Sequence, residues 1–138
     1  MRLLVLTIGK PKLAYARDGV AEYLGRFPSA SSVKIESLRA SNPVEESRSL
    51  LTRSEGMFRV ALDERGAQVT SRELAKKFTD WELNRTKAVA FLIGGADGHS
   101  EEVRTKADWL WALSSLTLQH ELALVILLEQ LYRARCIN

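Results

Sequence analysis
Cysteine is almost absent: Cys136 stands alone in 138 residues. No intramolecular disulfide can form, and no cysteine-rich zinc site can be built. Histidine is equally sparse. His99 and His120 are not at i, i+4 spacing and no nearby carboxylate pair completes a ligand set, so no metal is expected. No segment reaches the roughly 18 apolar residues that a membrane helix requires, so no membrane partner is expected either. The N-terminal Met1-Arg2-Leu3-Leu4-Val5-Leu6-Thr7-Ile8-Gly9 has the basic start and apolar stretch of a signal peptide. Its apolar run is too short, however, and no small-residue cleavage site follows. A buried strand is expected there, in a chain suited by its lone thiol to the reducing cytoplasm. The motif inventory has gaps as well. No Gly-Lys-Ser/Thr phosphate loop and no Gly-x-Gly-x-x-Gly dinucleotide fingerprint occur. Ser114 and Ser115 lack the Gly-x-Ser-x-Gly elbow of a serine hydrolase. There is no internal repeat, low-complexity tract or linker.

What is present is a chain 46% hydrophobic, enough to bury a core and of a length for one compact domain over residues 1–138. Its net charge of +3 permits a nucleic-acid partner without demanding one. Residues 3–8 read as a buried strand ending at Gly9. Residues 12–27 place apolar side chains at near-helical spacing, and Pro28 stops them. Residues 32–38 alternate as a second strand. Asn42-Pro43 opens a helix as N-cap and first helical residue, with Glu45 and Glu46 in its first turn. Residues 58–62 form a third strand, with a turn at 63–66. Thr70-Ser71-Arg72-Glu73 is a capping box for a helix running to about Asn84. Residues 88–93 read as a central strand ending in Gly94-Gly95. A short helix at 100–107, a serine-rich strand at 113–118 and a long helix at 120–135 complete the chain. Strand and helix alternate five times, which predicts an α/β fold with a mainly parallel sheet and helices on both faces.

In open parallel sheets, ligands bind at the carboxyl ends of the strands. Three segments there carry unusual residues: Ala61-Leu62-Asp63, Leu92-Ile93-Gly94-Gly95-Ala96-Asp97-Gly98, and Leu113-Ser114-Ser115-Leu116-Thr117-Leu118. The glycine loop can offer bare N–H and C=O groups to a nucleoside, or it is simply a tight strand-to-helix turn. The serine-rich segment is either an edge strand with a wet face or a loop wrapped around a ligand. Trp109 and Trp111 serve the core, a pocket or a subunit interface. The last helix carries Leu122, Val125, Ile126, Leu128 and Leu131, more apolar surface than one small domain hides, which favours a subunit interface. Its basic end, Arg133 and Arg135, suits phosphate or the helix dipole.

Taken in order, Ile8-Gly9-Lys10, residues 21–27, Leu62-Asp63, the Gly94–Gly98 motif, residues 113–118, His120-Glu121-Leu122 and residues 128–134 resemble the RlmH family of small SPOUT methyltransferases from end to end. The resemblance implies a trefoil knot near the C-terminus, with S-adenosyl-L-methionine held in it largely by main-chain groups. By position, Leu62, Gly94, Leu113, Ser114, Ser115, Leu116, Thr117 and Leu118 would contact the cofactor. It further implies a homodimer that methylates N3 of a pseudouridine in 23S ribosomal RNA within the ribosome. Removing the N3 proton needs a base or a polarising group. His120 and Arg133 are the candidates for catalysis. The chain departs from the family pattern at Gln119, where proline is usual, and at Leu124, where arginine is frequent. Family members continue past the isoleucine into an aromatic, histidine-containing and basic tail, whereas this sequence reads Cys136-Ile137-Asn138 at that point. The alternative expectation is therefore a knotted dimer that binds S-adenosylmethionine but transfers its methyl group poorly.

Overall fold
The computed structural model describes residues 1–28 and 33–138. Among these, strands and helices alternate as β1 (Arg2–Ile8), α1 (Ala14–Arg26), β2 (Val33–Leu38), α2 (Pro43–Arg53), β3 (Phe58–Ala67), α3 (Ser71–Leu83), β4 (Ala88–Ile93), α4 (Glu101–Lys106), β5 (Trp109–Trp111) and α5 (His120–Ile137). Ser32, expected at the start of the second strand, lies outside the described residues. The five strands form one sheet in the order β2-β1-β4-β3-β5. Every pairing is parallel.

The unbroken apolar runs of β1 and β4 follow from this arrangement. A strand inside a parallel sheet is covered on both faces, so successive side chains both need apolar neighbours. Leu3 and Val5, with Val60, Val89, Phe91 and Ile93, point to the face covered by α1, α3 and α5. Leu4, Leu6 and Ile8, with Ala61, Ala90 and Leu92, point to the face covered by α2 and α4. The first face holds the larger residues, including Phe78 and Trp81 of α3 and Leu124, Leu127, Leu128 and Leu131 of α5. Leu124 is thus a core residue, only 2% exposed, at a position where arginine would have no room for its charge.

Four helices begin where the sequence supplies a cap. Asn42 accepts from Glu45 N–H at 2.9 Å, with Pro43 behind it. Thr70 and Glu73 satisfy each other's backbone donors. Ser100 caps α4 by accepting from Val103 N–H. Gln119 caps α5, its side-chain oxygen accepting from the N–H groups of Glu121 and Leu122 at 2.9 and 3.1 Å. A side-chain amide does here what serine or aspartate does elsewhere, which accounts for glutamine at this position.

Two expectations are corrected. Residues 63–66 are not a turn but a continuation of β3, which runs to Ala67. The pairing with β5 shifts register between Leu62 and Ala67, and both residues oppose Trp111. The intervening polar residues form a bulge, a device that re-aims side chains beside active sites. The chain's last strand is not residues 113–118 but β5, just Trp109–Trp111. The two indoles lie on one face of it, stacked 5.1 Å apart, with Lys77 over Trp109. Trp111 also packs on Phe91, so the pair belongs to the core side of the sheet.

One buried charge ties the first loop to the last helix. Glu121, 8% exposed, accepts from Lys12 N–H at 2.7 Å and from Leu13 N–H at 2.9 Å. These donors sit at the start of α1, where Leu13 brings no side-chain cap of its own. The Leu13 and Lys12 bonds hold the Glu121 carboxyl below its usual value, with the charges of His120 and Lys12 acting the same way. A lowered carboxyl contributes stability that is full above its unfolded value and is lost as pH falls through its folded one. Glu121→Ala is expected to lower stability by about 2 kcal/mol at neutral pH. In urea unfolding of both proteins, the difference should shrink in acid as the carboxylate is protonated; an equal difference at both pH values would show that its charge is not what matters.

Candidate functional site
The carboxyl ends of β3 and β4 meet the chain that follows β5 around a cleft of 720 Å³. That is the size range of small-molecule and cofactor sites. Four segments wall it: residues 62–65 of the β3 bulge, 93–99 after β4, the 113–118 loop, and the start of α5 from Gln119 to Ala123. Leu62 pairs with Ile93 on one side and Trp111 on the other, so sheet hydrogen bonding fixes three of the four walls.

The glycine loop is a tight reversal. Gly98 N–H donates to Gly95 C=O at 3.0 Å, and Gly98 adopts φ +75°. A methyl group on Gly94 would lie 2.7 Å from the Gly98 carbonyl carbon and 3.0 Å from its oxygen. The close approach that requires glycine at 94 is therefore first of all to the loop's own backbone. Once folded so, the loop carries bare main chain along the cleft wall.

Charged residues brace this loop from below. Arg104 Nη1 donates to the His99 carbonyl at 2.6 Å and lies 3.7 Å from Asp63 Oδ2. The Asp63 side chain, 5% exposed, accepts from Arg65 N–H at 2.9 Å. The His99 ring turns back under the loop, with Nε2 2.9 Å from the Leu92 carbonyl. A carbonyl only accepts, so Nε2 carries the proton. Burial pushes the imidazole pKa down, against the Leu92 bond and the Asp63 charge, and the ring is neutral at physiological pH. Its Nδ1 is buried without a partner.

The opposite wall is the 113–118 loop. Ser114 Oγ accepts from Leu116 N–H at 3.0 Å in a local turn. Thr117 donates its hydroxyl to the Glu64 carboxylate, joining this loop to the β3 bulge. Leu116 stands 70% exposed at the rim. Of the expected cofactor residues, Leu62, Gly94, Leu113, Ser114, Leu116, Thr117 and Leu118 all line the cleft, and Ser115 does not. His120 lines it at the start of α5. Arg133 is paired with Glu129 at 2.7 Å, more than three turns further along the helix and about 20 Å away by helical rise, so the fold does not bring it to the cleft. Glu64, Arg65 and Arg104 were missed by sequence reasoning. The first two lay hidden in what reads as a turn, and Arg104 on a short helix whose inward side has no periodic signal. Among the described residues, no group of three or more His, Cys, Asp or Glu side chains converges as metal ligands would.

A cleft beyond the carboxyl ends of an all-parallel sheet, walled by a glycine loop, defines an open α/β protein with its pocket where that class holds its ligands. The whole chain, residues 1–138, matches the family model described as predicted SPOUT methyltransferase, and the protein belongs to that family. Among curated relatives, "Ribosomal RNA large subunit methyltransferase H" of Thermus thermophilus is 49% identical, with 96% of this chain and 90% of the relative covered. The protein of the same name from Deinococcus radiodurans is 39% identical, over 100% of this chain and 94% of the relative. Among solved structures, the SpoU methyltransferase AviRb of Streptomyces viridochromogenes, determined with the cofactor AdoMet, matches 99% of this chain and 61% of its own length. Its TM-score is 0.51 at 15% identity, a likeness of fold.

The two cleft glycines should respond differently to alanine. At Gly94 the added methyl meets backbone that cannot step aside, and a loss of about 3 kcal/mol is expected. At Gly98 the space is open and only the positive φ opposes it, costing about 1 kcal/mol. Thermal unfolding of the two variants measures the order; Gly98→Ala being the more damaging would refute this account of the loop.

Proposed function
We propose that this protein transfers the methyl group of S-adenosylmethionine to large-subunit ribosomal RNA, at N3 of a pseudouridine in 23S RNA, and works as a homodimer. The observation that carries the reading is the convergence, in one 720 Å³ cleft, of Leu62, Gly94 and the 113–118 loop, three segments far apart in sequence. The names of the relatives favour transfer over a cofactor-binding protein without activity. The residues suit the cofactor. Bare backbone at Gly94 and Gly98 can meet an adenine edge, Leu113 and Leu118 offer apolar walls to its ring, and the Asp63, Glu64 and Asp97 carboxylates counter a sulfonium and an ammonium. On this reading the C-terminal part of the chain has the SPOUT knot.

The bound cofactor supplies an electrophilic methyl on a positively charged sulfur. The protein's part is placement and proton handling. Holding the acceptor nitrogen in line with the breaking S–CH₃ bond supplies much of the rate. His120, at the lip of the cleft beside Gln119, is the residue for the N3 proton. Arg133, held by Glu129 on the outer side of α5, has no such access.

The dimer is proposed from the outward side of α5. Leu122 and Ile126, one turn apart, remain half-exposed after α1 and α3 have covered the rest of the helix. Such a stripe suits the same stripe on a second copy, the usual symmetric contact of homodimers.

Tritiated-methyl transfer to ribosomes lacking the modification tests the reaction. His120→Ala should lower turnover on the order of 100-fold while calorimetric affinity for S-adenosylmethionine stays the same. Undiminished turnover would remove His120 from the proton path, and no transfer by the unaltered protein would overturn the reading. For the dimer, light scattering should give twice the chain mass, and Ile126→Asp should halve it.

A further inference from the structure
The loop between β1 and α1 is fixed more firmly than a surface loop of its composition requires. Gly9 N–H donates to the Leu38 carbonyl at 2.7 Å, and the Thr7 hydroxyl donates to the Gly9 carbonyl at 3.1 Å. At its far end, Glu121 holds the N–H groups of Lys12 and Leu13. The side chains of Lys10, Lys12 and Arg17 are nevertheless all exposed. None of the three forms an ion pair among the described residues; Arg17 donates instead to the Lys12 carbonyl. Of the nearby carboxylates, Glu121 is engaged with the loop's own N–H groups, Glu46 with Ser41 N–H and Glu45 with Arg48, which leaves Asp18, beside Arg17 on α1, as the exposed counter-charge. Among these cations stands Tyr15, 50% exposed, its hydroxyl 3.5 Å from Gln119 Oε1.

The elements at the two ends of this loop, α1 and β1, each adjoin a wall of the cleft. Gln119 and His120 line the cleft, and Tyr15 leans on the first of them. At the other end, an added methyl on Gly95 would lie 3.5 Å from Ile8, the last residue of β1. We infer that Lys10, Lys12, Arg17 and Tyr15 form the docking surface for the unpaired stretch of RNA that flanks the target nucleotide. The inference rests on the proposed reaction and adds the surface that places its substrate. Chemistry selects RNA here. Cations on a rigid loop and on the first turn of the helix it enters match a phosphate backbone, which positions a nucleic acid without reading its sequence. An exposed aromatic ring among them offers a stacking surface to a splayed base, the mode by which proteins grip single-stranded RNA. A base entering the cleft beside His120 has neighbours that must leave it past this loop. Immobilising the loop in advance lowers the ordering entropy lost on binding.

The test is methyl transfer to ribosomes lacking the modification, followed as a function of salt, alongside calorimetry with S-adenosylmethionine and light scattering. Lys10→Ala combined with Lys12→Ala should raise KM for ribosomes on the order of tenfold, leaving kcat and cofactor affinity in place. It should also flatten the dependence of log kcat/KM on log salt by about two. Tyr15→Ala should lower kcat/KM on the order of tenfold, and Tyr15→Phe, which keeps the ring, should restore it. Unchanged KM and salt slope in variants of an active protein overturn this inference alone. No transfer by the unaltered protein overturns it together with the proposed reaction. Loss of activity accompanied by a halved mass in light scattering assigns the surface to a second copy of the chain and equally overturns it.

Discussion
Every strand of the sheet runs the same way, and the place of the cleft follows from that. Parallel strands bring all their carboxyl ends to one edge, and each must be followed by a crossover that returns the chain to the opposite edge. Loops leaving β1, β3, β4 and β5 therefore gather on one side although they are widely spaced in sequence. β4, in the middle, has both faces and both edges occupied. Its last residue, Ile93, is thus an anchored point from which the glycine loop springs. The bulge in β3 adds to this geometry: by displacing the register before Ala67 it turns Glu64 and Arg65 toward the cleft instead of into the ladder with β5.

Much of this was legible in the sequence because it rests on local chemistry. The capping residues at Asn42 and Thr70 mark helix starts whatever the tertiary context, and two-sided burial leaves apolar runs at 3–8 and 88–93 that need no partner to be recognised. What was not legible depends on contacts between distant segments. Asp63-Glu64-Arg65-Gly66 has the composition of a turn; only pairing with Trp111 across a register shift keeps it extended. β5, at three residues, is too short to show a period. Seven of the eight expected cofactor residues meet in the cleft, while Ser115, alike in type and neighbourhood, does not. A consecutive stretch could be assigned as a block, but the turn that Ser114 makes with Leu116 sets which side chains face inward.

The glycines illustrate how one residue can answer to two different demands. From sequence, Gly94 suggests space left for a ligand. In the fold its missing side chain is first a requirement of the loop, whose backbone folds back on itself within 3 Å of where a Cβ would lie. Buried charge beneath supports this otherwise bare structure. Arg104 grips the His99 carbonyl while Asp63 offsets its charge, and the neutral His99 ring props the strand end at Leu92. A loop made mostly of glycine is held in shape by side chains from beneath it.

The brevity of β5 has a consequence for whether the sheet can grow. A sheet edge left open is a template on which another chain can add a strand, the first step of uncontrolled aggregation. Here one edge offers only the ladder of Trp109–Trp111 before the chain swings away into the 113–118 loop. The other, β2, carries exposed Lys34 and the Glu36–Arg53 ion pair along its six residues. Charge on one margin and lack of length on the other both discourage strand addition. The sheet therefore stays finite at five strands, closed to growth at both margins.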